Sequence, residues 1–150
     1  MYIYFLISLI VVFIDWVTKF IIHQTLSLGQ SIHILPFFNI VYVRNNGISF
    51  SLLTEAGPWI LTTMACLISV VVCYFLIKEK SKFSKVCFAL ILGGAVGNII
   101  DRICLGSVID FLDFYINDWH WPAFNIADSA ICIGVALLIC QSIFMKKEKK

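Results

Sequence analysis

The sequence predicts a mainly α membrane protein: a bundle of four transmembrane helices, a small extracytoplasmic sheet or loop element, and both termini in the cytoplasm. Three observations carry that prediction. Of the 150 residues 61% are hydrophobic and the mean hydropathy is +0.96, far above soluble domains. Four apolar stretches each approach the roughly 20 residues a helix needs to cross a bilayer. Eight of the nine lysines fall in two clusters, Lys78, Lys80, Lys82 and Lys85, then Lys146, Lys147, Lys149 and Lys150. Short loops rich in Lys and Arg stay in the cytoplasm, so four helices with both clusters inside put both ends of the chain there.

The elements follow in order. Residues 1–22 form the first span, interrupted by Asp15 and Lys19. It has no basic leading region and no small-x-small cleavage site after it, so it reads as a retained helix rather than a secretory signal. Residues 23–55 face outward. Their stretch SIHILPFFNIVYVRNNGISFSLL mixes β-branched and aromatic residues with the turn signal Asn46-Gly47, as a small sheet or hairpin would. Pro36 argues for an edge position. Residues 56–77 are an uncharged span, and 86–105 are apolar until Asp101 and Arg102. Residues 106–126 face outward again as a loop, with Trp119 and Trp121 as interfacial anchors near its tip. The last span, 127–145, carries no charge after Asp128. The length suits one domain.

In the third span Gly93 and Gly97 have small-xxx-small spacing, and Ala130 and Gly134 repeat it in the fourth, so these helices approach closely. The cysteines 66, 73, 87, 104, 132 and 140 lie in spans without metal-ligand spacing and read as packing residues. The net charge of +2 reports orientation. The outer segments hold no basic stripe, so no nucleic-acid partner is expected. There is no HExxH and no GxSxG. Histidines 23, 33 and 120 read as interfacial packing.

Ionisable residues inside a membrane are costly and default to functional hypotheses. Asp15 and Lys19 are four apart, share a helix face and pair. Asp101 and Arg102 point about 100° apart on a helix and need different partners. Arg102 either neutralises carboxylates or binds a lipid or peptide oxygen. Asn46 and Gly47 fit turn chemistry, whereas Asn45 is free to present its amide to a ligand. Asn98, one turn before Asp101, organises a polar cluster, because a buried amide needs partners.

Four of the nine acidic residues crowd the stretch VIDFLDFYINDWHWPAFNIADS: Asp110, Asp113, Asp118 and Asp128. Asp110 lies just past the third span and Asp128 at the start of the fourth. If these helices are antiparallel neighbours, both carboxylates reach one membrane boundary. Two carboxylates held close share a proton, one serving as base and one as acid. Asn125 resembles an N-cap with Asp128 at the third helical position, where the dipole favours ionisation. Asp128 is then the base and Asp110 the acid. Asp113 holds the loop through backbone hydrogen bonds, and Asp118 is a solvated turn residue. The rival reading is a small proton- or ion-translocating subunit using Asp15, Asp101 and Asp128 as relay sites. A relay needs charges through the midplane, whereas these gather at one end and the second span has none.

In four blocks the chain resembles the bacterial lipoprotein signal peptidases, the signal peptidase II family: Asp15 to Lys19; RNNGISFS at 44–51; GGAVGNIIDR at 93–102; and VIDFLDF with FNIADS at 108–114 and 124–129. Their order on a four-helix topology makes the resemblance specific. It implies an aspartic endopeptidase of the bacterial inner membrane, active at the periplasmic boundary, that cuts prolipoproteins N-terminal to a diacylglyceryl-modified cysteine. The catalytic pair falls on Asp110 and Asp128. Asn45, Asn98, Arg102 and Asn125 fall on the polar surround, with Asp15, Lys19, Gly47 and Asp113 as support. The long outer segment corresponds to a sheet cradle and a mobile periplasmic element. Lipidated substrates and membrane lipids are the implied partners. No metal, cofactor or obligate protein partner is expected.

Overall fold

The computed structural model describes residues 1–47 and 57–147. Ile48–Ser51 of the second resemblance block, the expected mobile element and the end of the C-terminal lysine cluster lie outside the described residues. Four helices, α1 (Tyr2–Thr25), α2 (Gly57–Lys78), α3 (Lys82–Leu105) and α4 (Ile126–Lys147), are long and apolar enough to cross a membrane. α3 begins earlier than its apolar run because Ser81 caps it, accepting a hydrogen bond from the Ser84 amide at 3.3 Å.

α3 is the central helix, packed on α1, α2 and α4. Of its apolar window 56% is buried, against at most 28% in any other helix. Its small residues explain how it tolerates three neighbours. A Cβ on Gly93 would lie 2.7 Å from the Ser8 carbonyl of α1, and one on Gly97 2.7 Å from the Asp15 carboxylate. Gly94, which the small-xxx-small pattern passes over, meets the Ala127 carbonyl of α4. That neighbour is backbone and cannot swing aside. Gly94→Ala is therefore expected to cost about 1–3 kcal/mol, read as a lowered melting temperature in detergent; a parental melt would mean α4 shifts freely.

Outside the helices, β1 (Ser31–Leu35), β2 (Phe38–Asn45), β3 (Val108–Ile116) and β4 (Trp119–His120) form one antiparallel sheet in that order. Two expectations need correction. The turn between β1 and β2 falls at Pro36–Phe37, while Asn46-Gly47 follows the end of β2. Pro36 thus fits where no strand N–H is required. The predicted 106–126 loop begins instead as a strand, because β2 offers β3 a free edge and pairs Phe38 with Phe114, Ile40 with Leu112 and Val43 with Asp110. A tight turn at Asn117, with φ of 53°, and Asp118 leads into β4. Buried Ile22, Leu26, Tyr42, Ile109 and Phe111 seat the sheet on the end of α1.

Candidate active site

The site forms where α3 ends, β3 begins and α4 begins. Gly106, left-handed at φ of 71°, caps α3 and turns the chain into β3. The Ile109 amide donates to the Asp101 carboxylate at 3.0 Å, fixing the strand start. The next residue, Asp110, is 2% exposed. Its two oxygens accept the side-chain amides of Asn125 at 2.7 Å and Asn45 at 2.9 Å. Asn45 in turn accepts the Gly47 amide at 2.9 Å, which holds its own amide toward Asp110.

On the opposite side, Asn125 and Asp128 close a reciprocal capping box. The Asp128 amide donates to Asn125 Oδ1 at 2.9 Å, and the Asn125 amide to Asp128 Oδ2 at 3.3 Å. Asp128 Oδ1 accepts Asn98 Nδ2 at 2.8 Å. Asn98 Oδ1 receives Lys19 Nζ at 3.1 Å and Asn125 Nδ2 at 3.2 Å. The two aspartates are thus bridged by the side chains of Asn98 and Asn125, as expected for a buried amide that needs partners. Burial first, and then the charge of Asp128, push the Asp110 carboxyl up to about 7, against the opposing hydrogen bonds of Asn45 and Asn125.

Lys19 lies behind the pair. It bridges Asp15 at 2.7 Å and Asp101 at 3.0 Å. The first ion pair is the predicted one at i, i+4. The second was not legible, although two carboxylates and one lysine at helical positions were its signal. Asp15 also accepts the Ala127 amide at 2.9 Å, in the first turn of α4. Arg102 points elsewhere, as its spacing from Asp101 requires: Nη2 donates to the Gly47 carbonyl at 3.2 Å, and its charge acts on both Asp128 and Asp110. Arg102 thus holds a peptide oxygen of its own chain.

Asp113 departs from its expected role. It lies on β3, not in a loop, and its carboxylate meets side chains: Asn39 Nδ2 at 2.9 Å and His120 Nδ1 at 2.9 Å. Nor do the histidines only pack, since His23 Nδ1 is 2.7 Å from the Tyr42 hydroxyl and His33 Nδ1 is 2.9 Å from that of Tyr115. Asp118 occupies its turn. Among the described residues no three His, Cys, Asp or Glu side chains are grouped to hold a metal.

A family model described as signal peptidase (SPase) II matches residues 7–144. A lipoprotein signal peptidase of Alteromonas mediterranea is 50% identical over 149 residues, 96% of this chain and 81% of its own length. One of Francisella tularensis subsp. novicida is 43% identical, across 97% of this chain and 94% of its own. A bacterial membrane enzyme solved by the in meso method superposes at a TM-score of 0.91 and 37% identity, covering all of this chain and 93% of that one. A second such structure gives 0.84 at 38% identity, across 94% of this chain and 92% of the other. With a family match over residues 7–144, which reaches into all four helices and takes in the whole sheet, the chain belongs to the signal peptidase II family.

Proposed function

We propose that the chain is an aspartic endopeptidase that removes the signal peptide from diacylglyceryl-modified prolipoproteins, cutting N-terminal to the lipidated cysteine. It works as one multi-pass domain of a bacterial inner membrane, with lipid-modified prolipoproteins as substrates and membrane lipids around it. The observation that carries this reading is the asymmetric carboxyl pair at one end of the bundle. Asp110 is held up to about 7 by burial and by Asp128, while Asp128 accepts two N–H donors at the head of α4.

The proposed chemistry needs water and no covalent enzyme intermediate. Asp128 takes a proton from water as the oxygen attacks the scissile carbonyl carbon. Asp110 gives its proton to the carbonyl oxygen, forming a neutral gem-diol. Asp110 then takes back a proton from the gem-diol, while Asp128 passes its own to the amide nitrogen as the C–N bond breaks. The products are the signal peptide carboxylic acid and the amine of the lipidated cysteine, and the pair returns to its starting protonation. Asn45 and Asn125 hold Asp110, Asn98 and Asn125 hold Asp128, and Lys19 with Asp15 fixes the frame behind. Gly47, whose carbonyl takes Arg102, and Asp113, tied to β2 and β4, shape the sheet side.

The carboxylates Asp15 and Asp101 are tied through Lys19 and the Ala127 amide to the start of α4, where Asp128 sits, and α2 contributes no carboxylate to them. That favours hydrolysis over a relay. Incubating purified protein with a diacylglyceryl-modified prolipoprotein, followed by mass spectrometry, is expected to give a product beginning at the lipidated cysteine. Absence of cleavage, or a cut elsewhere, would overturn the reading. The pH dependence has a definite sign. Asp110 must carry a proton, and it loses that proton as pH rises through about 7. Above that value kcat/KM is expected to fall about tenfold per pH unit; a flat profile from pH 7 to 9 would exclude Asp110 as the acid.

A further inference from the structure

β3 alternates faces, so Asp110, Leu112, Phe114 and Ile116 share one. That face continues outward as apolar surface. Phe38 of β2 lies 4.7 Å from Phe114, and Phe124 stacks on Phe114 at 5.9 Å. Beyond them Phe37, Phe114, Tyr115, Ile116, Trp119 and Trp121 line a groove of about 420 Å³. The groove is not part of the packed interior: Ile116 is 70% exposed and Trp119 60%. Folding gains little from such a surface, and contiguous exposed apolar patches mark sites that contact a partner, a ligand or the membrane. Two tryptophans edge to face at 6.0 Å, Trp119 and Trp121, give it rigid walls.

We propose, resting on the peptidase reading, that this groove is a subsite for an apolar side chain in the mature part of the prolipoprotein, about three to five residues after the lipidated cysteine. Continuity with the candidate site selects a peptide occupant. Phe114 and Ile116 of the groove lie on the same strand face as Asp110, four and six residues along β3, which is roughly 13–20 Å at 3.3 Å per residue. An extended peptide crossing the aspartates covers the nearer part of that distance in about four residues. Direction selects the mature side. The first residues of β3 pack against the end of α1, whereas Phe114 and Ile116 farther along are exposed; the apolar signal segment needs the hydrocarbon around the helices. The site thus selects on residues past the cut, using the aromatic walls to lower KM.

The test uses full-length enzyme and diacylglyceryl-modified peptides that differ only at the third to fifth residue after the cysteine, Phe against Ser, plus one ending at the second residue. The parent is expected to favour the Phe series roughly tenfold in kcat/KM through KM. Trp119→Ala and, separately, Ile116→Ser are expected to bring that ratio below about twofold. Equal cleavage of both series by the parent overturns the subsite whatever the variants do. So does a ratio that survives both substitutions, which would make the groove a resting place for lipid. Cleavage of the shortest peptide by the parent keeps the peptidase reading intact in either case; failure to cut any peptide overturns that reading and the subsite together.

Discussion

Asp110→Asn and Asp128→Asn are each expected to lower kcat/KM for a diacylglyceryl-modified prolipoprotein at least about 10³-fold, with the double variant losing little more. The near equality of single and double losses is the sharper test, because a water activated between acid and base needs both at once. Asparagine keeps the shape of either residue but neither gives nor takes a proton. Asp110→Asn also has a readable effect on stability. In the folded protein Asp110 is held up to about 7, above its ordinary value of 3.8. The folded state therefore grips that proton more tightly than the unfolded chain. Its stabilising contribution is full below about pH 4 and lost as pH rises to about 7, a change on the order of 2–4 kcal/mol. The parent should lose melting temperature across that window relative to Asp110→Asn. If either variant cleaves within tenfold of the parent while folded, the pair is not the catalytic machinery.

Much of this arrangement was legible because it rests on local rules. Span lengths follow from hydropathy, and α1 and α4 end within a few residues of the predicted limits. The Asn125–Asp128 box reads directly from spacing, since cap and third helical position are three residues apart. The Asp15–Lys19 pair is equally local. That Asp101 and Arg102 go to different partners follows from the turn of a helix.

What escaped was pairing across the chain. VIDFLDF reads as a loop between helices until β2 supplies the edge that makes it a strand. Its alternation is masked because both faces are buried at its start, Ile109 and Phe111 on one side and Val108 and Asp110 on the other. Gly94 escaped because its reason is the backbone of α4, 33 residues on in Ala127. Local sequence assigns Asp113 backbone partners, but its real ones sit on β2 and β4, strands whose register no local pattern sets. Long-range carboxylate partners are the least legible part of such a site.

The same gap hid the other large effect, on Lys19. Its side chain is 3% exposed, between Asp15 at 2% and Asp101 at 10%. Those two carboxylates hold the amides of Ala127 and Ile109, each one residue before an aspartate of the pair. Lys19→Met removes the cation and leaves two buried carboxylates facing each other. Breaking a buried pair in this way costs about 3–5 kcal/mol, a drop in melting temperature on the order of 10 °C. Combining Lys19→Met with Asp15→Asn and Asp101→Asn leaves no charge to bury, and the asparagine oxygens still accept the two amides. The triple variant is therefore expected to recover most of the lost stability. Its kcat should remain lowered, because the short ionic clamp that fixes the spacing of α4 against β3 is gone. Thermal melts in detergent, paired with the cleavage assay, separate the two effects. A Lys19→Met protein melting with the parent would mean the carboxylates find another partner, and a triple variant no more stable than the single would assign Lys19 to packing instead of charge.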